Sequence, residues 1–211
     1  MPAPSNRDLA LERAIALAVE KLAGVDFAVR CPALGLAAPD AQGVIRLRVL
    51  GQDMGCGTHG FTLAQPDGAP VAPTLHGLVL HYLLCEEPLS RDGEPVSYRA
   101  FPGGQFYLGP FRQRTVEPLA RLAGNDVEKL KDALHGLDWE PAAPGDFAAR
   151  VHVIGHIHCT LVHHVGDDEF PANADLLFSP AALHACGADD AAMWGTLLCG
   201  RIMRALRAPT P

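Results

Sequence analysis

The chain has 211 residues, 48% of them hydrophobic and 19% charged, with a formal net charge of -7 and an isoelectric point near 5.7. That apolar content excludes disorder, the acidic balance would repel a phosphate backbone, and no run reaches the roughly 18 apolar residues of a membrane span. Neither nucleic acid nor a membrane is therefore an expected partner, and the length suits one domain with a substantial core.

After a Pro-rich start, Ser5 with Asp8 forms a weakened capping box, and Leu11, Ile15, Val19 and Leu22 recur every three or four residues. The spacing predicts an amphipathic helix to about Ala23. The N-terminus has no charged segment leading into an apolar one, so the compartment reads as cytoplasmic. Residues 31–43 carry Pro32, Gly35, Pro39 and Gly43 and read as irregular. Ile45, Leu47 and Val49 alternate with Arg46 and Arg48, the pattern of a half-exposed strand, and a second strand is expected at 60–65 before the turn Gln65-Pro66-Asp67-Gly68. From Thr74 as N-cap, Leu75, Leu78, Val79, Tyr82 and Leu83 mark a helix packed on a core and ending near Pro88.

Residues 88–110 read as a long irregular segment holding Tyr98, Phe101, Phe106 and Tyr107, aromatics that argue for a loop folded over a cavity. Helical patterns follow at 111–122 and 126–136. Alternation over 147–153 and 157–161 predicts two strands meeting near Gly155, with Val151 opposite Ile157 and His152 opposite His156. An acidic turn at 166–171, a short apolar run at 176–178 and a helix from about Asp189 to Leu206 complete the chain. The expected fold is α+β: one domain over residues 5–206, a mostly antiparallel sheet covered by helices, with 1–4 and 207–211 as flexible termini. Six scattered cysteines without a C-x-x-C pair read as reduced thiols, most of them small buried hydrophobes.

Five of the ten histidines, His152, His156, His158, His163 and His164, fall within residues 152–164. Alternate strand residues share a face, so His156, His158 and His164, with His152 across the hairpin, form the candidate metal set, while His163 and Cys159 turn to the apolar face. Imidazoles converging at about 2.0–2.2 Å suit Zn, Fe or Ni, whereas a polar sheet face would use the same alternation. Asp168 and Glu169 are candidate acid/base groups for a metal-activated water, or turn residues in solvent. Cys56 and His59 stand at C-x-x-H spacing on a Gly-rich stretch, half of a zinc site or an axial haem ligand, or simply a hairpin loop. In Phe101-Pro102-Gly103-Gly104-Gln105-Phe106-Tyr107, the glycines let amides approach a cofactor and Phe101, Phe106 and Tyr107 offer stacking faces; a tight turn plugging the core edge is the competing reading.

Three segments, Leu80-His81-Tyr82-Leu83-Leu84, Phe101-Pro102-Gly103-Gly104 and Gly166-Asp167-Asp168-Glu169-Phe170-Pro171 with Leu176-Leu177-Phe178, together with the helix opened by Asp189 and Asp190, resemble an uncharacterised bacterial and archaeal family, mainly from anaerobes, called domain of unknown function 3786. The resemblance spans roughly residues 5 to 206. It implies no activity; members fused to iron–sulfur modules imply a redox setting or a corrinoid-protein partner. Where the family has Pro and aliphatic residues before the acidic turn, this chain has Gly155-His156-Ile157-His158-Cys159 and His163-His164, so a site there is a speciality of this chain or its subgroup.

Three functions compete. The first is a protein that binds a transition metal or a metallated tetrapyrrole, or another small molecule, through the histidine strand. The second is a metal-dependent enzyme activating water; the third is a scaffold or interaction subunit without a bound cofactor.

Overall fold

The computed structural model describes residues 6–208 and divides the chain into two compact units, one up to Leu89 and one from Ser90. The boundary between the two units lies beside Pro88. The expectations for Ser5, for residues 1–4 and for 209–211 lie outside the described residues. Each unit is α+β with antiparallel strand pairing, and no helix among the described residues is long and apolar enough to cross a membrane.

In the first unit, α1 (Asn6–Leu22), α2 (Phe27–Ala33) and α3 (Pro73–Leu83) accompany β1 (Val44–Val49), β2 (Gln52–Gly57) and the short β3 (Leu63–Ala64). The periodicity in α1 and α3 marks their mutual packing, with Leu11 and Ile15 of α1 lying over Gly77 of α3. Pro32 and the glycine after it mask α2 in the sequence, a helix of about two turns, which Asp26 caps by accepting from the Ala28 amide at 3.0 Å. Its Arg30 donates to the carbonyls of Leu83, Leu84 and Cys85, placing a cation on the orphan carbonyls that end α3. The Gly-rich stretch from Met54 is strand β2, since the chain reverses earlier, at Leu50-Gly51, both with positive φ. β1 and β2 bury Ile45, Leu47, Met54 and Cys56 on one face and leave Arg46, Arg48 and Asp53 on the other.

The second unit contains β4 (Val96–Ser97), a 3-10 turn at Tyr98–Ala100, α4 (Gly104–Arg114), α5 (Val116–Ala123), α6 (Val127–Asp132), β5 (Trp139–Pro141), β6 (Phe147–Ile154), β7 (Ile157–His164), β8 (Asn173–Phe178), α7 (Pro180–Ala185) and α8 (Ala188–Arg207). Its strands lie in the order β6-β7-β8-β4, and β5 also pairs with β6. Val151, Cys159, Leu161, Leu176 and Phe178 fill one face of this sheet. Gly195 of α8 packs there against Leu176 and Phe111, with no room for a Cβ. Tyr98 stacks on Phe111 at 4.3 Å and Phe101 meets Phe178 edge-on at 5.2 Å. Each such fully buried side chain contributes about 1.5–3 kcal/mol by leaving water.

Candidate functional site

The candidate site is built on the β6–β7 hairpin, and its register differs from the sequence expectation. Gly155 and His156 form a two-residue turn, with Gly155 at φ 50, so Ile154 lies opposite Ile157. An irregularity between His152 and Ile154 takes up one residue, and Val151 pairs with Cys159 rather than Ile157. His152 therefore faces His158, not His156, and Arg150 faces Thr160. The alternation set the faces correctly, but the turn length set the partner.

The His152 and His158 ring centroids are 5.3 Å apart, with the rings inclined at 69°. Nε2 of His152 lies 3.1 Å from the Gly155 carbonyl and Nδ1 of His158 lies 3.1 Å from the His156 carbonyl. A carbonyl can only accept, so each of these nitrogens is the protonated one. The lone pair of neutral His158 then resides on Nε2. Burial pushes the His158 imidazole down to about 4, a neighbouring carbonyl opposes the shift, and the positive Arg150 adds to it. His158 is consequently neutral at physiological pH. Burial also lowers His156, which sits half-buried in the turn, and Arg91 lowers it further.

Two small cavities flank the pair. One, of about 200 Å³, is lined by Arg91, Asp138, Trp139, Glu140, Arg150, His152 and His158. The other, of about 220 Å³, reaches Gly93, Glu94, Thr160 and Ser179 and shares Arg150 and His158 with the first. Arg150 donates to Glu140 at 3.2 Å and to the Arg91 carbonyl at 3.1 Å. The His158 main chain is fixed on both sides by Ser179, whose Oγ accepts its amide at 3.1 Å and whose amide donates to its carbonyl at 2.9 Å. Sequence reasoning missed Ser179, Thr160, Asp138 and Trp139. The two segments 91–95 and 138–143 partly cover the outer face of this hairpin.

The remaining candidates are dispersed. His164 is exposed near Asp146, six residues along β7 from His158 and hence about 20 Å away. His163 is fully buried on the apolar face, as its alternation predicts, where Nε2 donates to the Gly124 carbonyl at the end of α5 at 2.9 Å. Asp168 and Glu169 are exposed beyond the far end of β7 and cannot serve as bases at the pair. The organising group of that turn is Asp167, which accepts the Glu169 and Phe170 amides, and these bonds hold its carboxyl below the usual range. Cys56 is buried against Cys31, its thiol pushed up to about 12 by burial, whereas His59 is exposed in the following turn, so the C-x-x-H spacing joins core to surface.

The Phe101-Pro102-Gly103-Gly104 stretch opens α4 instead of continuing as an irregular loop. Gly103 takes φ 79 to start the helix, and a Cβ on Gly104 would overlap the Tyr98 carbonyl. Phe101 is in the core, while Phe106 and Tyr107 are 77% and 57% exposed, because helical geometry from Gly104 turns them outward. The helix masked by Gly103, Gly104 and Pro110 is the reason 104–110 read as loop.

Among the described residues, no three His, Cys, Asp or Glu side chains are grouped to hold a metal ion. The histidine pair thus brings two nitrogens and no third ligand from the described chain. No curated protein matches the sequence, and no solved structure does. Residues 26–201 match the family described as a domain of unknown function (DUF3786), and the chain belongs to that family.

Proposed function

We propose that this protein binds a transition-metal ion, or a small metallated cofactor, through the paired imidazoles of His152 and His158, in a cytoplasmic setting. One observation carries the reading: the paired rings, each with one nitrogen donating to a main-chain carbonyl. Metal-ligating histidines are habitually oriented by such a second hydrogen bond, which fixes the tautomer and aims the lone pair. Two imidazoles on one tetrahedral ion at about 2.0–2.1 Å would place their centroids about 5 Å apart, which agrees with the 5.3 Å separation. Two protein nitrogens leave coordination positions for ligands from outside the chain. The proposal is therefore a carrier or binding module whose ion arrives with, or acquires, other ligands; a redox or corrinoid-protein partner fits that role.

Co(II) titration of the metal-free, untagged protein tests it, because cobalt reports coordination through its visible absorption. A saturable signal with micromolar dissociation, lost in His158→Ala and in His152→Ala, is expected. No signal in the wild type would reduce the pair to an edge-to-face aromatic contact on a covered sheet face. Exposed Phe106, Tyr107 and Phe170 would then favour the interaction subunit.

A further inference from the structure

Among the described residues, the buried polar side chains are Thr115, His158, Thr160, His163 and Ser179. Three of these, His158, Thr160 and Ser179, are only 5–6% exposed and line one cavity, together with Arg150. His158 and Ser179 each make one hydrogen bond within the fold, and the donor and acceptor capacity that remains on the three side chains faces a chamber rather than a dry core. The other two lie elsewhere: Thr115 donates to the Phe111 carbonyl, and His163 donates through Nε2 to that of Gly124 while its Nδ1 is buried without a hydrogen-bond partner.

The chemistry of the inner wall is directional. Ser179 precedes α7 but does not cap it; its oxygen already accepts the His158 amide, so its hydroxyl proton remains a donor. Thr160 adds a second hydroxyl. Arg150 has five N–H donors, of which one goes to Glu140 and one to the Arg91 carbonyl. A cation with two hydroxyls around it describes an oxyanion site, and the paired fork of a guanidinium matches a carboxylate. Glu140 offsets part of the Arg150 charge and Glu94 stands exposed at the rim, which favours a monoanion over a phosphate dianion. The chamber of about 220 Å³ falls below the roughly 300–1,000 Å³ of drug-sized sites, so the occupant is small.

We infer that this chamber is a subsite for a small carboxylate, held by Arg150 with the hydroxyls of Thr160 and Ser179. Because His158 forms a wall of both cavities, a carboxylate seated there lies beside the imidazole assigned above to the metal. It is placed to contribute an oxygen to that ion. This last step rests on the metal-binding reading, whereas the carboxylate subsite itself stands on the chamber alone.

The test uses the full chain with acetate and inorganic phosphate as probes. In metal-free protein, ¹H–¹⁵N NMR titration with acetate should shift the Gly93, His158, Thr160 and Ser179 amides saturably. Arg150→Gln should weaken acetate at least tenfold, and the near-isosteric Thr160→Val several-fold, with circular dichroism confirming that both variants fold. In Co(II)-loaded protein, acetate should change the cobalt absorption. Acetate binding without any Co(II) binding would keep the subsite and remove the metal reading. Co(II) binding without acetate shifts at these four amides would keep the metal reading and overturn the subsite. Phosphate binding tighter than acetate, or acetate binding unchanged in Arg150→Gln, would likewise overturn the assignment.

Discussion

The two hairpins of this protein share one sequence pattern and treat its polar half in opposite ways. In the first unit, β1 and β2 bury alternate residues and present Arg46, Arg48 and Asp53 to solvent, where Arg48 pairs with Asp53 at 3.0 Å with both partners largely exposed. In the second, β6 and β7 also alternate, yet seven of the eight residues of β7 are buried, including His158 and Thr160 on the polar face. The difference lies in what covers that face. A polar face in water needs no partner for its charges, and its ion pairs stabilise little. A polar face under cover must satisfy every group, so the residues that persist there are arranged with defined hydrogen bonds or around a ligand. The covered hairpin, rather than the more charged one, is where recognition chemistry is expected.

The sharpest way to break this contrast is His163→Ala. It removes a fully buried ring and its bond to Gly124, so denaturant unfolding should show a loss of about 3 kcal/mol. Co(II) affinity should remain within twofold of wild type, separating burial that holds the fold from burial that serves the site. His158→Ala should do the reverse, lowering Co(II) affinity at least 100-fold, about 2.7 kcal/mol, while His164→Ala at the exposed end of the strand leaves it unchanged. If His164→Ala and His158→Ala lose affinity equally, the pair is not the centre.

The arginines give a milder comparison. Arg150, about one-third exposed, makes charge-assisted bonds to Glu140 and the Arg91 carbonyl, and Arg150→Gln should cost about 1 kcal/mol of stability. Arg48→Ala on the open face should stay within about 0.5 kcal/mol of wild type. Equal costs would show that cover makes no difference.

The subtlest effect is in pH. With a native imidazole near 4 against about 6.5 unfolded, the unfolded chain binds the proton first as pH falls. The His158 contribution to stability is accordingly complete above about pH 6.5 and is lost progressively as pH falls towards 4. NMR of the metal-free protein should find His158 still neutral at pH 5.5, and a midpoint near 6.5 would mean that the face is solvated after all.

Much of this was legible in the chain. Hydrophobic spacing located α1, α3, α8 and the β6–β7 strands, and assigned the strand faces, placing His163 and Cys159 on the apolar side, because period and face are local properties of consecutive residues. Glycine and proline misled where they serve rather than break structure: Pro32 lies inside α2, Gly103-Gly104 opens α4, and Gly55 and Gly57 belong to β2. The pairing of His152 with His158 was decided by a two-residue turn and a one-residue irregularity, so a shift of two positions replaced the expected partner. The partial cover over that pair was decided by residues 91–95 and 138–143 and by Ser179, far away in the chain. Alternation can say that a residue faces away from the core, but whether that side meets water or a covering segment depends on long-range contacts, and only the folded chain supplies them.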